Sequence, residues 1–237
     1  MTPWLWFLIA ALAAAAGSAL LLADRGRQSS HQRERRQWAA LRGWRFVPSD
    51  PALTEHWRYG VIAGAGLARD AVTGSLFTPL GRRLVRVFDH DRGGQVTHAV
   101  VAVQRRAQDT SLVMELWLPG QPLPEDPSLI TLSRVGDRIA LTSDPDQARP
   151  LVTPEFAFAA NALGQDIPVA WLEQGWVLAA APRTATPTRL ERLLRALDEI
   201  ADLLDIASAE DADGTPDAVA DLAELSGWAC DEFSSRQ

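Results

Sequence analysis

The stretch Leu84-Val85-Arg86-Val87-Phe88-Asp89-His90-Asp91-Arg92-Gly93-Gly94-Gln95-Val96-Thr97-His98-Ala99-Val100-Val101-Ala102-Val103 decides the fold. Its two ends are β-branched and aromatic, and Asp91-Arg92-Gly93-Gly94 between them carries the turn chemistry of a β-hairpin. Working outward, 112–118 alternates around Val113, Glu115 and Trp117 as a third strand. Residues 129–132 and 138–142 pair across Val135-Gly136-Asp137, and 169–172 and 176–180 pair across Glu173-Gln174-Gly175. Upstream, 67–73 reads as a strand ended by Gly74, and 59–66, with Gly60, Gly64 and Gly66, reads as a loop.

Helical periodicity enters between and after these strands. Asp50-Pro51 opens a short helix, and Thr153-Pro154-Glu155 is an N-cap, a first-position proline and a first-turn acid ahead of a helix ended by Gly164. From Thr186-Pro187 onward, Leu190, Leu193, Leu194, Leu197, Ile200, Ala201 and Leu204 follow the i, i+3, i+4, i+7 template. This helix is expected to pack on a sheet with Asp198, Glu199, Asp202 and Asp205 on its solvated side. The fold class is α+β: an antiparallel sheet of hairpins packed against two or three helices, preceded by one transmembrane helix.

That leading helix is read from residues 3–23, which carry no charge. Trp4, Trp6, Phe7, Leu8, Ile9 and Leu12 open it and Leu20, Leu21 and Leu22 close it; about 20 apolar residues match a hydrocarbon core of about 30 Å. A cleaved signal peptide would start with basic residues, and here they follow instead: Arg25, Arg27, Arg33, Arg35, Arg36, Arg42 and Arg45, against Asp24 and Glu34. The positive-inside rule then puts the N-terminus outside and the rest in the cytoplasm, at the cell membrane. The domains follow: an anchor over 1–23; a basic juxtamembrane helix over 24–42 with Arg25, Arg27, Arg33, Arg35 and Arg36 at lipid headgroups; an α+β domain over 43–206; and an acidic, mostly disordered tail over 207–237.

Composition narrows the chemistry. Net charge is −7 and all 23 basic residues are arginine, which argues against a general nucleic-acid binder. The one cysteine, Cys230, excludes a disulfide framework and a four-cysteine zinc site. Asp89, His90 and Asp91, with His98 across the hairpin and His56 upstream, form the densest set of metal-competent side chains. Adjacent strand residues point to opposite faces, however, so Asp89 and His90 diverge. Gly64-Ala65-Gly66 lacks the rest of a phosphate loop, and no Gly-x-Ser-x-Gly elbow occurs. No catalytic residue, cofactor or metal is therefore assigned. Of the nine tryptophans, Trp117 and Trp228 are marked as a contact surface should they stand exposed.

The order of features also carries a resemblance. Arg42-Gly43-Trp44-Arg45-Phe46, Asp50-Pro51 with Leu53 and Trp57, Ala68-Arg69-Asp70-Ala71-Val72-Thr73-Gly74, Val87-Phe88-Asp89-His90 with Thr97-His98-Ala99-Val100-Val101, Ser143-Asp144-Pro145 and Gly175-Trp176 follow one another. Over about residues 1–206 this resembles a group of actinobacterial single-pass membrane proteins of uncharacterised activity. The resemblance implies an anchor and an α+β domain and supplies no catalytic residue.

The functional expectation is a membrane-tethered, non-catalytic interaction or scaffold domain whose partners are the lipid bilayer and a protein. The alternative is a membrane-bound hydrolase or metal-binding protein using Asp89, His90 and His98. A third reading places the acidic tail on the basic juxtamembrane helix, from net charges of +5 over residues 24–45 and −11 over residues 198–237.

Overall fold

The structure, a computed structural model, describes residues 4–213 apart from 65, 80 and 107–110; of residues 5, 6, 8, 11, 18–29 and 210–213 it describes the backbone only. In chain order the elements are α1 (Trp4–Leu41), β1 (Arg45–Asp50), two short 3₁₀ turns (Pro51–His56 and Gly60–Ile62), β2 (Leu67–Thr78), β3 (Gly81–Arg92), β4 (Gln95–Gln104), β5 (Met114–Trp117), β6 (Ile130–Val135), β7 (Arg138–Thr142), α2 (Pro145–Ala148), α3 (Pro154–Ala162), β8 (Val169–Glu173), β9 (Trp176–Pro182) and α4 (Pro187–Asp213). The nine strands form one antiparallel sheet in the order β1-β2-β3-β4-β9-β8-β5-β7-β6.

Alternation along the strands loads both faces of this sheet with apolar side chains, so both must be covered. On one face Val85, Val87, Val101, Val103, Leu116 and Val177 meet Phe156 of α3, Leu190, Leu193, Leu197 and Leu204 of α4, and Trp38 of α1. On the other, Phe88, Val100, Val169, Trp171 and Leu178 meet Leu53, Trp57 and Ile62 from the 3₁₀ turns. Trp57 stacks on Phe88 at 5.8 Å between ring centroids and meets Trp176 edge-on at 5.6 Å. Arg138 is buried among backbone carbonyls, donating to Ile167 O and Gly164 O at 2.9 Å, and desolvation pushes its guanidinium down to about 10.

The expected hairpins form where the sequence places them, and three boundaries differ. Gly74 does not end its strand, because the Trp44 indole lies where a Cβ would stand; the missing side chain lets β2 continue to Thr78 beneath it. Residues Arg45–Asp50 form a strand that the sequence did not announce. The long helix does not stop at Ile206: Arg105 Nη2 donates to Leu204 O and Ser208 Oγ, and the alanine-rich stretch beyond continues to Asp213. The acids of α4 are not simply solvated either. Asp198, Asp202 and Asp205 converge on the buried Arg83 guanidinium, and Asp205 also pairs with Arg105 at 3.1 Å.

α1 runs unbroken for 38 residues, about 57 Å at 1.5 Å per residue, through both the expected anchor and the expected juxtamembrane helix. Trp4, Phe7, Ile9 and Leu12 stand exposed on its first half. The side chains of Trp6, Leu8, Leu20, Leu21, Leu22, Arg25 and Arg27 lie outside the described residues, as do residues 214–237 with Trp228. Among the described residues, no helix is long and apolar enough to cross a membrane.

Candidate functional site

The last three turns of α1 lie on the sheet over β1, β2 and β3, and their sequence explains the contact. Trp38 and Ala39 are buried apolar positions, while Arg35, one turn earlier on the same stripe, is buried and polar. Arg35 Nη2 reaches Asp89 Oδ1 of β3 at 3.0 Å. A turn nearer the N-terminus, Gln32 Nε2 donates to Asp70 Oδ1 at 2.8 Å. Asp70 reaches this place through a β-bulge between Arg69 and Val72, where its φ of 47° falls in the left-handed region that Asp tolerates better than most residues. At the other end, Trp38 Nε1 and Arg42 Nε donate to Glu191 of α4 at 2.9 and 3.0 Å. Trp38 meets Trp44 edge-on at 5.3 Å, and Arg36 lies over the Phe46 ring at 5.0 Å.

This arrangement corrects one expected headgroup contact. Arg35 is 6 % exposed and bound to a buried carboxylate, so it faces the sheet and not a lipid surface, whereas Arg33 and Arg36 remain exposed. Burial pushes the Asp89 carboxyl up from its ordinary value, and the neighbouring Arg35 charge pulls the other way. The pair is a joint between helix and sheet.

Of the residues of the metal or hydrolase alternative, His90 and His98 are brought together and Asp89 is not. Asp89 points to the α1 side of β3. His90 points to the opposite side, where its ring occupies the space that a Gly66 side chain would fill. His98 is directly across from His90 in the β3–β4 register, as the hairpin reading expects. His90 Nδ1 is 3.2 Å from Thr97 Oγ1; His90 Nε2 and His98 Nδ1 are buried without hydrogen-bond partners. His56 is exposed on its 3₁₀ turn, and Asp91 Oδ2 pairs with Arg69 at 2.6 Å. Among the described residues, no three His, Cys, Asp or Glu side chains are grouped to hold a metal ion. Desolvation lowers the pKa of both histidines, for His90 with help from the Arg92 and His98 charges and against that of Asp91.

Two acids that sequence reasoning passed over hold the other face. Glu115 Oε1 accepts from Gly60 N and Oε2 from Trp117 Nε1, both at 2.6 Å. Glu173 accepts from Arg58 N at 2.7 Å and Tyr59 N at 3.2 Å. Each sits on a strand that otherwise reads as apolar, which is the signal that could have marked them, and burial raises the pKa of both. Gly60 lies so close above Trp171, with φ of 63°, that no side chain fits there. Trp117 is consequently 8 % exposed and bound to Glu115, not part of a contact surface. An apolar cavity of about 10 Å³ between β5, β8, α3 and α4, lined by Met114, Leu116, Phe156, Ile200 and Leu204, is no larger than a water molecule.

Two measurements check this geometry. Removing one partner of the buried joint strands the other, so Asp89→Asn with Arg35 retained is expected to cost about 3–5 kcal/mol of stability in urea unfolding. The double variant Arg35→Met, Asp89→Leu costs markedly less; equal costs would show that the two charges do not interact. For the histidines, a pKa depressed in the folded state means stability that is complete above the unfolded value of about 6.5 and is lost as pH falls through the folded pKa. Wild type therefore loses more stability than His98→Gln between neutral and mildly acidic pH. The raised carboxyls of Glu115 and Glu173 act with the opposite sign but are common to both proteins and cancel. Parallel pH profiles would contradict the assignment.

Comparison with known proteins identifies the fold's relatives. A family model described as trehalose monomycolate transport factor TtfA matches residues 1–223. Trehalose monomycolate transport factor A of Mycolicibacterium smegmatis is 27 % identical over 206 residues, covering 86 % of this chain and 70 % of the relative. The crystal structure of the mycobacterial trehalose monomycolate transport factor A, TtfA, aligns with a TM-score of 0.64 at 26 % identity, covering 73 % of this chain and 93 % of that one. The actinobacterial resemblance seen in the sequence thus acquires a specific content, with relatives that are transport factors. The chain belongs to the trehalose monomycolate transport factor TtfA family.

Proposed function

We propose that this chain serves trehalose monomycolate transport as a non-catalytic, membrane-tethered interaction module. Residues 1–23 lie in the bilayer, the N-terminus is outside, and the sheet domain is held in the cytoplasm against a protein partner of the transport machinery. The family supports the transport role, since the relatives are named for it. The uncharged run of residues 3–23 and the arginine excess after it support the tether and its direction. Exposed Trp4, Phe7, Ile9 and Leu12 are side chains that lipid would cover.

The observation that carries the proposal is the joint between helix and sheet. One helix passes from the apolar run into the Arg35–Asp89 and Trp38 contacts without a break, so the anchor is an extension of the domain rather than a leash. A domain fixed in height and orientation suits presentation of one surface to a membrane-embedded partner, because less orientational freedom is lost on binding.

A short flexible Gly-Ser linker inserted after Arg27 keeps both anchor and joint but breaks their continuity. In cells whose only copy carries this insertion, the protein is expected to remain in the membrane while labelled trehalose monomycolate accumulates internally. Export equal to that of cells carrying the unmodified chain would contradict the proposal. Orientation is tested separately through Cys230, the single thiol. A membrane-impermeant maleimide is expected to label it only after permeabilisation, and labelling in intact cells would reverse the topology.

A further inference from the structure

Among the described residues, the sheet face opposite the helices is covered over part of its area. Leu53, Trp57 and Ile62 cover Phe88, Val100, Trp171 and Leu178. Toward the tip of the β2–β3 hairpin the same face carries a different set of side chains. Register places Arg45 beside Thr73, Thr73 beside Arg86, Ser75 beside Leu84, and Phe77 beside Arg82. Arg83 points the other way, to α4, so Arg82, Leu84 and Arg86 share this face. Phe77 is 85 % exposed and Leu84 38 %, and Arg45 and Arg82 are exposed. Arg86 is stacked over Trp176 at 4.9 Å and feels the charge of Asp50 without an ion pair. Among the described residues, Arg45, Arg82 and Arg86 form no salt bridge. Exposed Phe77 and Leu84 beside the exposed Arg45 and Arg82, with Arg86 held by Trp57 and Trp176 beneath them, form a surface that suits an acidic segment carrying aromatic side chains.

The chain itself provides such a segment. α4 leaves the domain at this same end: Asp205 pairs with Arg105 just past β4, and Gln104 lies level with Leu84. Residues 214–237, outside the described residues, contain five acids (Asp217, Asp221, Glu224, Asp231 and Glu232), one arginine, and Trp228 and Phe233. Extended, 24 residues span up to about 80 Å, far more than is needed to pass around the end of a sheet. Lipid fits this face poorly, because α1 runs along β2 from Gln32 at Asp70 to Trp44 at Gly74. The hairpin tip therefore points away from residues 4–23. The basic juxtamembrane helix is also a weaker host than its charge suggests, since Arg35 and Arg42 are already paired with Asp89 and Glu191.

We propose that residues 214–237 fold back onto the basic face formed by Arg45, Arg82 and Arg86 with Phe77 and Leu84. The test uses the full chain in nanodiscs at one chain per disc, with benzophenone maleimide on Cys230, irradiation, and mass-spectrometric mapping of adducts. Adducts are expected on residues 73–86. Arg45→Glu with Arg82→Glu, both exposed and peripheral to the core, is expected to reduce them about fivefold, the weight of two surface ion pairs, without changing the melting temperature. High salt lowers the same adducts in the unsubstituted chain. Adducts concentrated on residues 25–36, on lipid or on a second chain, adducts spread evenly, or a yield indifferent to charge reversal would each overturn the proposal.

Discussion

The structure depends on one constraint: the last three turns of α1 must be covered on the side that faces the sheet. Trp38 and Ala39 supply the apolar part of that contact and Arg35 the polar part. A buried arginine needs acceptors in matching geometry, which the Asp89 carboxylate on β3 provides here, while the bulge at Asp70 turns a second acceptor toward Gln32. Gly74 follows from the same demand, since the bare backbone lets Trp44 settle on β2 and close the end of the joint. Once this contact forms, anything attached to the N-terminal half of α1 is held in a fixed relation to all nine strands.

The two sheet faces are stabilised differently, and the difference bears on function. The helix face is a conventional aliphatic core with arginine–aspartate clamps at its edge, where Arg83 and Arg105 draw α4 onto β3 and β4. Among the described residues the opposite face is covered mainly by two 3₁₀ turns, tied down by Glu115 and Glu173 through backbone amides and by tryptophan packing. Turns secured by a few hydrogen bonds to buried carboxylates are the part of such a domain expected to open at least cost, whereas the helix face opens only with global unfolding. The side of the domain that meets α1 is therefore the rigid one, and the opposite side is the one free to adapt.

Much of this was legible in the sequence. Turn residues at Gly93-Gly94, Gly136-Asp137 and Gln174-Gly175 located three hairpins, because left-handed backbone is confined to few residue types. The leucine periodicity after Pro187 marks α4 for another local reason, since 3.6-residue spacing gathers those side chains on one face. What escaped were features set by long-range contacts. Arg35 looks like its neighbours Arg33 and Arg36, and only the stripe it shares with Trp38 distinguishes it. β1, with Pro48 in its middle, reads as loop until β2 is there to pair with it. Trp117 would be a contact surface only if exposed, and nothing local reveals that Glu115 two residues earlier receives its indole N–H in the buried state. The histidine pair was located correctly across the hairpin, yet its separation from Asp89 follows from the pleat alone.

The account stands on α1 and the sheet being one body, and amide hydrogen exchange on the full chain in a bilayer tests this most directly. Residues 36–41 lie in the joint and beyond the expected lipid. Their amides are predicted to exchange together with those of Leu193–Leu204 in α4, through global unfolding alone. Rapid exchange at 36–41 while α4 and the central strands stay protected would mean that the helix detaches freely, and the rigid tether would have to be abandoned.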